Sequence, residues 1–156
     1  MKKLMILTAL VFSMSFTALA DNPSSEASRY AVILETQGNV EVKLSGAEWT
    51  PAEAGVKLFE KDEIRTQAQS TAQILLDQEG STGKFEVKPN SRLRMGTLIL
   101  EPATGDKTTI LDLAIGSVLV KAEKLQGHSR FEVRTPNATT GVRGTEFLVT
   151  AEPKQS

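Results

Sequence analysis

Cysteine is absent from all 156 residues, and histidine, tryptophan and tyrosine occur once each. Without thiols there is no thiolate nucleophile, no cysteine-ligated zinc and no redox pair, so packing alone must hold the fold even where disulfides are permitted. A lipid anchor on a cysteine beside a cleavage site is excluded too. His128 stands in the polar turn "LQGHSR", and a single histidine cannot build a multi-histidine metal site. No Gly-x-Ser-x-Gly turn is present to hold a serine nucleophile. His128 therefore reads as a solvated loop residue, and neither a catalytic set nor a cofactor or metal is expected. Trp49 and Tyr30 are too few for a surface on which sugars stack. Trp49 instead reads as packing over the edge of the core with its indole N–H bonded to a carbonyl.

Excess charge of either sign is also missing: 18 basic residues face 19 acidic ones, and the isoelectric point is about 5.9. A nucleic-acid binder carries a basic face and an isoelectric point above about 9, so nucleic acid is not an expected partner. The densest acidic group, Glu60, Asp62 and Glu63 beside Lys61, reads as a solvated turn, because neighbouring carboxylates on a strand point to opposite faces.

Long hydrophobic runs are lacking except at the start. Lys2 and Lys3 precede the apolar stretch Leu4 to Leu19, which closes on the small-x-small triplet Ala18-Leu19-Ala20. This predicts a cleaved signal peptide over 1–20, export to the bacterial periplasm, and no stable membrane insertion of the processed chain. Processing leaves 136 residues and a net charge near −3, enough chain for one domain with its own core. Residues 21–29, "DNPSSEASR", read as a flexible leader, 30–152 as the domain, and 153–156 as a disordered tail.

From Tyr30 onward the apolar residues alternate. Val32 and Leu34, then Val40, Val42 and Leu44, recur at period two on either side of Gln37-Gly38-Asn39, predicting two short strands around a turn. Further strands are expected in "DEIRT", "TAQILLD", "GKFEVK", "SRLRM", "TLILE", "TTILDLAIG", "SVLVKAE", "RFEVRT" and "TEFLVTAE". Gly, Pro, Asn or Asp punctuates most joints. The pattern predicts an all-β, single compact domain of about ten short strands, either a β-sandwich or a rolled, solenoid-like sheet. "TPAEAGVKLFEKDE" comes nearest to a helix, with Thr50 as cap and Pro51 in the first turn, but Gly55 interrupts it. "FEVKPNS" and "FEVRTPNA" lie 46 residues apart and fit either a duplicated unit or generic strand-end chemistry.

The stretch "TPNATTGVRGTEFLVTAE", from Thr135 to Glu152, is denser in punctuation than the rest. No Lys-Ser or Lys-Thr follows its second glycine and a strand follows instead of a helix, so it is not a phosphate loop. Gly141 and Gly144 suit positive φ at a tight crossing or bulge. Arg143 then has two roles open to it: a structural fork that pairs Glu146 or caps strand carbonyls, or an exposed handle for a carboxylate on a partner. Thr145, Phe147 and Val149 share one face of the last strand, with Phe147 anchoring the core, while Glu146 and Leu148 share the other.

At these residues the chain resembles the FecR domain family, in the turn Thr135-Pro136 and the run Arg143-Gly144-Thr145-Glu146-Phe147. "GNVEV" from Gly38, Trp49, "LFEKDEIRT", "AQILLD", "VKPNSRL" and "LDLAIGSVLV" look similar to that family as well. The resemblance implies a periplasmic all-β module without enzymatic activity. In the best known members it receives a signal from an outer-membrane transporter and passes it to a cytoplasmic sigma factor. With the apolar stretch read as cleavable, the expectation here is a free-standing FecR domain that binds an envelope protein, or alternatively an envelope polymer or glycan. A homo-oligomer is left open.

Overall fold

The computed structural model describes residues 28–77 and 80–153; the expected signal segment, the leader up to Ala27 and the tail after Pro153 lie outside them. Along the chain run β1 (Ala31–Gln37), β2 (Val40–Lys43), β3 (Thr50–Pro51), β4 (Lys57–Leu58), β5 (Glu63–Thr66) and β6 (Thr71–Leu76). They are followed by β7 (Gly83–Val87), β8 (Arg92–Leu100), β9 (Lys107–Ala122), β10 (Arg130–Arg134), β11 (Thr139–Val142) and β12 (Glu146–Ala151). The fold is all-β, as expected, and the strands form one sheet that curls on itself.

Curling is produced by β9, which belongs to both halves. Its first part, Lys107 to Ile115, pairs with β8 on one side and, over Thr108 to Asp112, with β10 in parallel on the other. Its second part pairs with β7 and β12, both antiparallel. One half of the sheet thus runs β4-β1-β6-β7-β9-β12 and the other β3-β2-β5-β8-β9-β10-β11. Ile33, Ile74, Phe85 and Val118 from the first half meet Val42, Ile64, Leu93 and Leu113 from the second in one buried core.

The chain changes halves four times along one corner: at Gly38-Asn39, at Gln67 to Ser70, at Lys88 to Ser91, and within β9 at Gly116-Ser117. Each change removes backbone groups from the ladders, and buried backbone groups need new partners. Short hydroxyl side chains supply them. Ser70 Oγ accepts from Asn39 N–H at 2.8 Å. Thr66 Oγ1 accepts from Ser91 N–H at 3.1 Å and donates to Lys88 O at 2.6 Å. Ser91 Oγ in turn accepts from Ser117 N–H at 2.8 Å. Thr66, Ser70 and Ser91 are all buried.

At the far end of the strands a charge joins the halves. Arg29 is buried just before β1, although its sequence places it in the polar leader. Its guanidinium donates to Asp77 after β6 (2.8 and 3.1 Å), to Thr82 and Thr109 hydroxyls, and to the carbonyls of Ile99 and Thr108 at 3.0 and 2.9 Å. Asp77 also accepts from Lys107 at 3.1 Å and from the Thr82 hydroxyl. Burial pushes the Asp77 carboxyl up, but the Arg29 and Thr82 hydrogen bonds, the Arg29 charge and Lys107 together hold it below the ordinary carboxylate range.

Several expectations are corrected. The buried face of β1 is Ala31 and Ile33, while Leu34 is 44% exposed, since both alternating sets are apolar and a bulge between Ile33 and Glu35 shifts the register. "SRLRM" with "TLILE", and "TTILDLAIG" with "SVLVKAE", are each one strand, β8 and β9, because the glycines bend the ladder without ending it. The segment after Thr50 holds the short strands β3 and β4 instead of a helix, with Pro51 on an edge opposite Glu41. "FEVKPNS" and "FEVRTPNA" both bury their Phe and Val, but β7 runs antiparallel to β9 and β10 parallel to it.

Gly116 has φ +88°, and a Cβ there would overlap the Ser91 hydroxyl and stand 2.6 Å from Asn90 O. Gly116→Ala is therefore expected to cost at least about 3 kcal/mol by urea unfolding, combining backbone strain with a clash against fixed backbone. Because the folded-state pKa of Asp77 is lowered, its stabilisation is fully present above the unfolded value near 3.9 and fades as pH falls through the folded value. Asp77→Asn should accordingly lose stability at neutral pH and show a flatter acid limb than the parent in a pH series of thermal melts.

Candidate functional site

The stretch singled out by its glycines forms β10, β11 and β12 with the turns between them. Thr135 closes the first turn: its N–H and hydroxyl both reach Ala138 O, at 2.8 and 3.3 Å, and its Oγ1 accepts from Ala138 N–H at 3.1 Å. Pro136 is exposed at the tip, where its fixed φ suits a turn. Gly141 lies in β11 opposite Glu132, has no positive φ, and has open space where a Cβ would go, so the expected need for a glycine there is not met. Gly144 does require one kind of backbone: its φ is +60°, and it reverses the chain from β11 into β12 against Lys124.

Arg143 and Thr145 flank that reversal and are exposed. Among the described residues Arg143 makes no hydrogen bond and no ion pair; Glu146 pairs with Lys121 at 2.8 Å instead. That pair is exposed on both sides, so it contributes little to stability. Phe147 packs against the core, Val149 and Ala151 are buried behind it, and Glu146, Leu148 and Thr150 face out. The motif is therefore divided: Thr135 and Pro136 shape the turn at the Thr139 end of β11, whereas Arg143, Gly144 and Thr145 form the reversal at its Val142 end, followed by the anchored Phe147 in β12.

The other sequence candidates fall elsewhere. The His128 side chain is 98% exposed and lies 3.6 Å from Asp106, which is held below its ordinary pKa by the Thr104 hydroxyl and the His128 N–H. The acidic group is not a solvated turn: Asp62 is buried, and its two oxygens accept from Ser45 N–H at 2.7 Å and Phe59 N–H at 2.8 Å. Glu60 accepts from Leu98 N–H at 2.6 Å. Lys61, with φ +74°, makes the tight turn that lets the neighbouring carboxylates clamp two loops and β8. Trp49 is half-buried beneath two guanidinium groups, Arg65 at 4.2 Å and Arg92 at 5.5 Å from its ring centre.

One feature of the outer face escaped sequence reading. Lys43, Glu63, Arg94, Asp112 and Arg134 are successive cross-strand neighbours on β2, β5, β8, β9 and β10, so charge alternates in sign across five strands. A depression of about 250 Å³ opens there, lined by Glu63, Arg92, Arg94, Asp112 and Ala114. Such a row is scattered over 92 residues of sequence and becomes visible only once register is known.

The family model of the FecR protein matches residues 62–156. That span begins at the Asp62 clamp and includes β5 to β12 with the whole Thr135 to Phe147 segment. The chain belongs to the FecR family, whose members take part in signal transduction in the cell envelope and whose FecR domains are periplasmic. No curated protein and no solved structure matches the chain. Among the described residues no helix is long and apolar enough to cross a membrane.

Asp62→Ala strands two backbone donors that now meet a charged acceptor. It should lower stability by about 3 kcal/mol, measured as a shift in denaturant midpoint, while Asp62→Asn, which keeps an acceptor, should lose less.

Proposed function

We propose that this chain is an exported, non-enzymatic binding module of the bacterial cell envelope, which works in the periplasm by receiving or relaying a signal through contact with another envelope protein. The reading rests on one observation: Arg143, within the most specific run of the family motif, is exposed and unengaged among the described residues, on a turn that Gly144 holds in place. An arginine that stapled its own fold would be spent on carbonyls or on Glu146. An accessible guanidinium on a turn beside an anchored strand is instead ready to meet a partner's carboxylate through two parallel hydrogen bonds.

Gly144 and Phe147 support that contact by fixing the reversal and seating β12, Thr145 and Glu146 are exposed beside it, and Thr135 and Pro136 shape the turn at the other end of β11. A glycan-binding role has less to draw on, since Trp49 is covered by Arg65 and Arg92 and stacking needs an open ring face.

Crosslinking in intact cells with the tagged protein, followed by mass spectrometry, tests the proposal. The expected result is a recurrent envelope protein whose recovery drops with Arg143→Ala, while the melting temperature stays that of the parent. Loss of one charge-assisted contact should weaken binding roughly 10- to 100-fold. A lower melting temperature with binding intact would make Arg143 a structural staple, and recovery of envelope polymer alone would overturn the protein-contact reading.

A further inference from the structure

The strand that carries the motif is also the end of its half-sheet. Among the described strands β12 pairs with β9 alone, so its other side faces no ladder. Ala122 N–H donates to Thr145 O at 3.3 Å, which makes Thr145 and Ala122 a hydrogen-bonded pair. Pair types alternate along an antiparallel ladder. Phe147, Val149 and Ala151 therefore bond to β9, and the N–H and C=O groups of Glu146, Leu148 and Thr150 point to the open edge. Edges of this kind are usually blunted by lysine, proline or a bulge, and "EFLVTA" contains no lysine or proline and pairs with β9 without a register shift.

Leu148 is the most exposed large apolar residue among the described ones, at 58%. Its cross-strand neighbour is Leu119, itself half-buried, so two leucines lie side by side on the outer face and end abruptly at the edge. On the inner face Phe147 is only partly covered, at the same edge.

We propose that β12 pairs with β12 of a second copy of this chain, antiparallel about a two-fold axis through Leu148. That register sets Leu148 opposite its own counterpart and extends the leucine pair into a row of four, Leu119 and Leu148 of each copy. It sets Phe147 against Val149 of the other copy, an aromatic beside a β-branched residue, and Glu146 against Thr150. The contact is isologous, so each side satisfies the edge of the other and the assembly closes at two.

Only the outward-pointing residues can bond across the axis, which leaves few registers. Moving the axis to Val149 places Glu146 opposite Glu152 of the other copy, and moving it to Glu146 places like carboxylates face to face. Moving it to Phe147 sets Glu146 against Leu148 and splits the leucine row. The Leu148 register avoids all three faults and overlaps almost the whole strand. Arg143 lies outside the paired segment, so the pairing is independent of the partner contact proposed above.

The absence of cysteine makes the test direct. Opposed residues of a hydrogen-bonded antiparallel pair have Cα atoms about 5.5 Å apart, within disulfide range. Purified Leu148→Cys is expected to form a covalent dimer under mild oxidation, far faster than Leu34→Cys, another exposed site away from that edge. Unmodified protein should show a concentration-dependent rise in mass by sedimentation equilibrium. Leu148→Lys, which places like charges on the axis at an exposed position, should remove that rise with the melt unchanged. Equal oxidation rates for the two cysteine variants, or a monomeric mass at every concentration, would overturn the proposal. Because only the purified chain is used, failure here leaves the envelope-partner reading standing, and loss of that reading would leave this one intact.

Discussion

Everything in this fold depends on the chain being able to leave one half of the sheet and enter the other without leaving buried backbone groups unpaired. Thr66, Ser70 and Ser91 make that possible, since each small hydroxyl both donates and accepts and so closes gaps that a turn opens in two ladders. Gly38 and Gly116 complete the corner by leaving out the Cβ that would collide with Ser70 and Ser91. Glycine and hydroxyl are thus paired: the first gives up volume so that the second can reach the backbone. Larger polar side chains would not fit, and apolar ones would leave donors stranded.

The two ends of the half-strands are held by opposite means. At the corner the partners are neutral and dispersed over four crossings. At the other end one cation gathers partners from β8, β9 and the loop beside β7 around Asp77, with nearly every guanidinium donor used. A buried ion pair repays its desolvation only when its remaining donors and acceptors are satisfied, and the Ile99 and Thr108 carbonyls with the Thr82 and Thr109 hydroxyls meet that condition. Between these clamps the core needs no thiol chemistry, and the Arg143 turn is free to project without helping to hold the halves together.

The all-β character was legible because alternation at period two survives in almost every strand, and the facing of Phe147, Val149, Glu146 and Leu148 followed directly from that period. Register was not legible. In β1 both faces offer apolar residues, so alternation alone chose Val32 and Leu34 over the buried Ala31 and Ile33. Gly116 reads as punctuation in one dimension, yet in three it is a bend inside a continuous strand. Asp62 looks like any surface acid until Ser45 and Phe59 arrive beside it. Arg29 gives no local signal at all, for its partners lie 48 to 80 residues further along. What alternation announced best was which residues of a strand face in; what the sequence hid were contacts between distant segments.

The long strand β9 also dictates an order of events. Folding slows as the contacts that define a structure come from positions far apart in the chain, and β9 is the neighbour that β7, β8, β10 and β12 all require. A polypeptide emerging from its amino end first, whether from a ribosome or through a translocation channel, would present β1 to β8 as unclosed ribbons with Arg29 still unsatisfied. Arrival of Thr108 and Thr109 supplies the missing acceptors, and arrival of Gly116 lets the sheet curl. Closure of the sheet therefore waits on β9, the strand through which its two halves join.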